Sequence, residues 1–126
     1  MLIYALCLIG AAAILGTGLA VVYLQSEGRR VPHWALAALH GAVAFAGFVL
    51  LLIVLAGPPK GETYGAPMMG RIAAGFLVFA LLTGLLPLNA RLRRRRLPLP
   101  SLVIGMHATM AISGVVILAA FYTLVG

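Results

Sequence analysis

Acidic side chains are almost missing from this chain: among 126 residues only Glu27 and Glu62 carry a carboxylate. Both fall between apolar runs, so there is no buried carboxylate relay for proton pumping. No pair of carboxylates stands ready for general acid–base work either. Cysteine is scarcer still. Cys7 is alone, which excludes an internal disulfide and any Cys/His zinc spacing. Inside an apolar run it reads as a small buried hydrophobe. No nucleophile–base constellation and no phosphate-cradling glycine loop occurs. Charge of either sign is confined, at 9% of residues against 63% hydrophobic. That balance belongs to a polytopic membrane protein and not to a soluble domain with a large core. The length allows a single transmembrane domain over residues 1–126 and no separate soluble domain.

What is present is four apolar runs, each near the ~20 residues a helix needs to cross the hydrocarbon core. They cover about 2–24, 33–56, 68–89 and 101–125. Breakers separate them: Ser26-Glu27-Gly28-Arg29-Arg30-Val31-Pro32, then Gly57-Pro58-Pro59-Lys60-Gly61, then the arginine run with Pro98 and Pro100. Pro87 is expected to kink the third run near its end. Short connections make sequential helices antiparallel neighbours, so the expected fold is all-α, an integral-membrane up-down four-helix bundle. The first run has no basic region before it and no small-residue cleavage site, and it reads as a retained span, not a signal peptide.

A net charge of +7 invites nucleic acid as a partner, but its distribution argues otherwise. Seven of the nine basic residues lie in two short connections: Arg29 and Arg30, then Arg91, Arg93, Arg94, Arg95 and Arg96. Short basic loops mark the cytoplasmic side of an inner or cell membrane. The arginine run is thus read as a topology anchor on anionic lipid, with membrane lipids and no nucleic acid as partners. Loops 25–32 and 91–100 are expected to be cytoplasmic, and both termini non-cytoplasmic. Tyr23 and Trp34 at one boundary, with Tyr4 and Tyr122 at the other, fit that orientation.

Two segments stand out within this frame. Leu39-His40-Gly41-Ala42-Val43-Ala44-Phe45-Ala46-Gly47 and Met106-His107-Ala108-Thr109-Met110-Ala111-Ile112-Ser113-Gly114 share the spacing His-x3-Ala-x2-Gly. Positions i, i+4 and i+7 lie on one helical face. Each segment therefore offers an imidazole beside a strip with almost no side chain. The second and fourth helices both start at the basic loops, so they run parallel, and at ~1.5 Å per residue each imidazole sits on the order of 10 Å into the membrane. In an up-down bundle these helices are diagonal, so the two rings can face each other across the axis. Aligning the two segments pairs Ala44 with Ala111, Gly47 with Gly114 and Leu51 with Leu118, while Thr17-Gly18-Leu19 and Thr83-Gly84-Leu85 match at an offset of sixty-six. This permits a tandem repeat of two two-helix units.

Ionisable residues inside a span are functional candidates by default, and His40 and His107 qualify. Low-spin haem b suits them: two axial imidazoles for the iron, with Ala44, Gly47, Ala111 and Gly114 as flat apolar walls. The propionates would then point toward the basic loops, where Arg29, Arg30, His33 or the 91–96 run could neutralise them.

His40 with Gly47 and His107 with Gly114 resemble the ligand pairs of transmembrane b-type cytochromes in the cytochrome b561 and cytochrome b manner. The resemblance covers the second and fourth helices. It implies one haem b and membrane electron transfer. Cytochrome b561 proteins carry two ligand pairs; here His33 stands opposite Pro100, so only one pair is complete. With no catalytic apparatus of its own, such a chain would be an anchor or electron-transfer subunit of a larger respiratory-chain-type redox complex, exchanging electrons with quinone or a partner's cofactor.

Alternatives stay open at this point. A histidine inside a membrane is often bonded to a carbonyl or hydroxyl of a neighbouring helix, and Ala/Gly strips mark close helix packing. That leaves a cofactor-free accessory or assembly subunit. His33, beside Pro32 and Trp34, also reads as a solvated boundary residue. Copper(I) on His107 and Met110, bacteriochlorophyll on one histidine, and a small transporter component are lesser readings.

Overall fold

The computed structural model describes residues 1–26, 33–58, 65–92 and 101–125, with side chains to residue 86 in the third stretch. They form α1 (Leu2–Gln25), α2 (Trp34–Ala56), α3 (Ala66–Leu92) and α4 (Ser101–Val125), with no strand among the described residues. Each helix contains a stretch long and apolar enough to cross a membrane, and the outward faces carry large apolar side chains such as Ile14, Phe45, Leu82 and Val116. A helix apolar all round, with its outer face uncovered by protein, is a membrane span. The protein is an all-α, multi-pass membrane bundle.

Four boundaries differ from the sequence expectation, α1 by a single residue at Gln25, and two of them have evident local reasons. His33 does not enter α2 but caps it, its Nδ1 accepting from the N–H of Ala35 at 3.3 Å. α3 starts at Ala66, ahead of the predicted Met68, because Pro67 does not break it: proline suits a first helical turn, where its missing N–H has no partner to lose. Gly65, at φ 92°, makes the turn into the helix, and its carbonyl accepts from the N–H groups of Met68 and Met69. At the other end α3 continues through Pro87 and Asn89 to Leu92.

Each helix packs against its two neighbours in the ring α1–α2–α3–α4, and neither diagonal pair comes into backbone contact among the described residues. Packing is most extensive within α1–α2 and within α3–α4. Glycine makes both close. A Cβ on Gly47 would stand 2.7 Å from Ile9 Cγ1 and 3.1 Å from the Ile9 backbone nitrogen; one on Gly114 would stand 2.8 Å from Leu77 Cγ. The two contacts are copies of each other. Gly47 and Gly114 are 67 positions apart, as are the buried Leu51 and Leu118, while Ile9 and Leu77, Ala5 and Ala73, and Ala12 and Ala80 are each 68 apart. The packing register of α1 on α3 is therefore 68. The Thr-Gly-Leu match at sixty-six is a coincidence of letters: Gly18 has open space where Gly84 meets His107.

Burial is uneven along the bundle axis. Buried side chains occupy 2–12 of α1, 47–54 of α2, 66–80 of α3 and 114–121 of α4, the halves nearest the termini. Toward the basic loops no described residue is buried, and on α2 Trp34 through Leu39 are exposed in succession. Six successive residues pass more than once around a helix of 3.6 residues per turn, so no face of α2 is covered there. Among the described residues, then, the bundle is closed in its terminal half and more exposed in the half toward the basic connections.

Gly47→Ala is expected to destabilise the bundle by about 1–3 kcal/mol through overpacking against a backbone atom, and Gly114→Ala to act in the same direction. Gly10→Ala, with nothing within 4 Å of the added carbon, is expected not to destabilise and to gain up to about 1 kcal/mol from helix propensity. Unfolding in mixed detergent–SDS micelles measures all three.

Candidate functional site: a histidine pair across the bundle axis

At the border between the closed and the more exposed half, α2 carries His40 and α4 carries His107. Although their helices are diagonal, the ring centroids lie 6.0 Å apart with the planes at 72°. Both side chains are half-buried. Each ring is held by the helix paired with its own: His40 Nδ1 is 2.8 Å from the carbonyl of Ala12 on α1, and His107 Nδ1 is 2.8 Å from the carbonyl of Ala80 on α3. A carbonyl only accepts, so Nδ1 carries a proton in both rings, and in the neutral ring Nε2 keeps its lone pair. Neither Nε2 takes part in a hydrogen bond among the described residues. No fully buried side-chain nitrogen or oxygen is left unpartnered there either, so both lone pairs keep open surface.

Why the rings fit is written in α1 and α3, in a motif the sequence expectation overlooked. Ala12-x3-Gly16 and Ala80-x3-Gly84 each put a carbonyl and a missing side chain on one face. A Cβ on Gly16 would lie 2.7 Å from His40 Cε1, and one on Gly84 would lie 3.1 Å from His107 Cε1. The carbonyl holds the proton end of the ring, and the glycine lets its edge rest on the helix backbone. Superposing the halves on the histidines' neighbours, at a separation of 68, would have revealed the motif; superposing them on matching tripeptides conceals it.

The other expected site residues are placed as follows. Ala44 and Ala111 are half-buried, one turn from the histidines. Gly47 and Gly114 lie within the α1–α2 and α3–α4 contacts, with Ile9 and Leu77 against them. His33 is exposed at the start of α2, its ring tilted toward Trp34 at 6.0 Å. Its Nδ1 accepts in the cap, the reverse of the protonation in His40 and His107. Arg29, Arg30 and Arg93 to Arg96 lie outside the described residues, and Arg91 falls in the last turn of α3. One charge went unremarked in the sequence: Arg71, exposed at the terminal end of α3, borders a small cleft with Pro58, Pro67 and Phe121. Thr83 was also passed over; its hydroxyl oxygen lies 3.4 Å from His107 Nδ1.

Among the described residues no group of three or more His, Cys, Asp and Glu side chains gathers, so the donor set is two imidazoles. Two imidazoles sharing one metal through bonds of ~2 Å put their ring centres roughly 6 Å apart, which is the separation found here. An Nδ1–H bonded to a backbone carbonyl is the usual outer support of a metal-binding histidine, fixing both tautomer and ring orientation. Met68, a second soft donor for copper, is 65% exposed at the opposite end of the bundle.

Comparison with family models, curated proteins and solved structures gives no match for this chain. Its function has to be argued from the histidine pair itself.

Nitrogen NMR of 15N-histidine-labelled protein should show His40 and His107 as the Nδ1–H tautomer. Gly16→Ala should displace the His40 signals further than Gly84→Ala displaces those of His107, because the added carbon comes closer. Unchanged signals in Gly16→Ala would contradict the cradle.

Proposed function

We propose that the chain is a membrane electron-transfer protein that holds one haem b between His40 and His107. The observation that supports this reading is a pair of carbonyl-anchored rings, neither Nε2 hydrogen-bonded among the described residues, whose centroids lie 6.0 Å apart across the bundle axis. Bound there, haem b supplies a reversible one-electron couple within the membrane.

The chain's own residues do the rest. His40 and His107 furnish the two axial nitrogens, and the Ala12 and Ala80 carbonyls hold their rings against rotation. The closed half of the bundle, from Ala5 and Ala73 to Leu51 and Leu118, keeps water from the terminal side. The more exposed half leaves room, at the basic end, for a flat group whose carboxylates need cations. Arg29, Arg30, His33 and the 91–96 arginines are the candidates to meet them. In this reading the basic loops face the cytoplasm and both termini lie outside it. A chain with no catalytic cluster serves as the anchor or electron-transfer subunit of a larger membrane redox complex, exchanging with quinone or a partner's cofactor. The likeness to cytochrome b561 and cytochrome b rests on the His-x3-Ala-x2-Gly segments.

A second reading has a specific observation in its favour. Gly47 and Gly114 serve helix contact, and each histidine already bonds a neighbouring helix, so the same residues suit a cofactor-free accessory or assembly subunit.

Purified from haem-replete cells, the protein should be red, with reduced-minus-oxidised bands of low-spin haem b at one haem per chain. His40→Ala and His107→Ala should each abolish those bands. A colourless, fully folded preparation supports the accessory reading instead.

A further inference from the structure

The two halves match closely around the histidines, which makes a difference in hydrogen bonding between them informative. Around His40 the Nδ1 proton has a single acceptor, the Ala12 carbonyl at 2.8 Å. Around His107 it has the Ala80 carbonyl at 2.8 Å and, at 3.4 Å, the hydroxyl oxygen of Thr83. That hydroxyl has one proton, which it gives to the carbonyl of Phe79 at 2.9 Å or of Ala80 at 3.0 Å. With the proton on Phe79, a lone pair of the Thr83 oxygen is left for the ring N–H, which becomes a three-centre donor. With the proton on Ala80, the hydroxyl would compete with the ring for one carbonyl and weaken its hold; the shorter distance, 2.9 Å to Phe79 against 3.0 Å to Ala80, favours the first arrangement. In the register that pairs Ala12 with Ala80 and Gly16 with Gly84, the α1 counterpart of Thr83 is Leu15, which neither accepts nor donates. Thr17, the nearest α1 threonine, is exposed and bonds only its own helix at Ala13.

We infer that Thr83 is a positioning residue that makes the two imidazoles inequivalent, so that His107 is the more electron-rich and more firmly oriented donor and His40 the weaker one. A stronger acceptor at Nδ1–H pushes electron density toward Nε2. With haem bound as in the proposed function, on which the redox part of this inference rests, the Thr83 hydroxyl favours the oxidised iron and lowers the midpoint potential. It also leaves His40 as the ligand an added small molecule would displace.

The test compares Thr83→Val, which keeps the shape and removes the hydroxyl, with Thr83→Ser, which keeps the hydroxyl. In 15N-histidine-labelled protein from haem-depleted cells, the Nδ1–H signal of His107 should move in Thr83→Val and return in Thr83→Ser, with His40 stationary in both. In haem-loaded protein the midpoint potential should rise in Thr83→Val and return in Thr83→Ser. A His107 signal unmoved by Thr83→Val, or one that moves together with that of His40, overturns the inference. A red protein whose potential does not change overturns its redox part. A protein that never takes up haem but shows the His107 shift supports the inequivalence while removing the cytochrome reading, so the two fail separately.

Discussion

The structure depends on one interaction made twice, the Nδ1–H to carbonyl bond from His40 to Ala12 and from His107 to Ala80. A polar group inside a membrane must find a partner within the protein, and here the partner is a helix carbonyl already engaged in its own ladder. Each bond contributes about 1 kcal/mol net, and bonds between membrane helices commonly give less. Its value lies in constraint. The bond fixes the tautomer, sets the tilt of the ring and ties α2 to α1 and α4 to α3 at the same depth. Removing the carbonyl's reach or filling the glycine beside it breaks all of these together.

Close approach makes that bond possible. Without a hydrophobic drive between helices in lipid, small residues and packing decide which helices pair. Gly47 on Ile9 and Gly114 on Leu77 bring each pair together at the terminal end, and Gly16 and Gly84 let the rings settle at the other. Beyond the histidines no described residue is fully buried. Among the described residues, burial lies on the terminal side of the polar pair, and seven of the nine basic residues of the sequence lie in the connections on the other side. The pseudo-twofold relation places the pair on its axis, so each half contributes one donor of the same kind, with Thr83 opposite Leu15 as a departure from symmetry.

Much of the bundle could be read from the chain because a membrane span announces itself by length and polarity. The four helices, their up-down order and the meeting of His40 with His107 followed from apolar runs, short loops and a count of residues from each loop. The finer boundaries did not, since capping by His33 and the fit of Pro67 into a first turn are local geometry that composition does not encode. The cradle was missed for a sharper reason. In apolar sequence, Ala-x3-Gly is common, and its meaning comes only from the histidine that rests on it from another helix. The same ambiguity affects Gly47 and Gly114, whose spacing suits a cofactor wall or a helix contact equally well until a neighbour is seen against them. Arg71 lay within an apolar run and was overshadowed by the loop arginines.

In the proposed function two locked, strongly tilted imidazoles share one iron. Electron paramagnetic resonance of the ferric protein tests this most directly. Parallel imidazole planes split the iron's π-type d orbitals, whereas planes near a right angle leave them nearly degenerate. With the rings held at 72°, the ferric protein should give the highly anisotropic low-spin signal of near-perpendicular ligands. The ordinary rhombic low-spin signal of parallel rings, a high-spin signal from a single histidine, or no iron signal at all from protein purified out of haem-replete cells would contradict it.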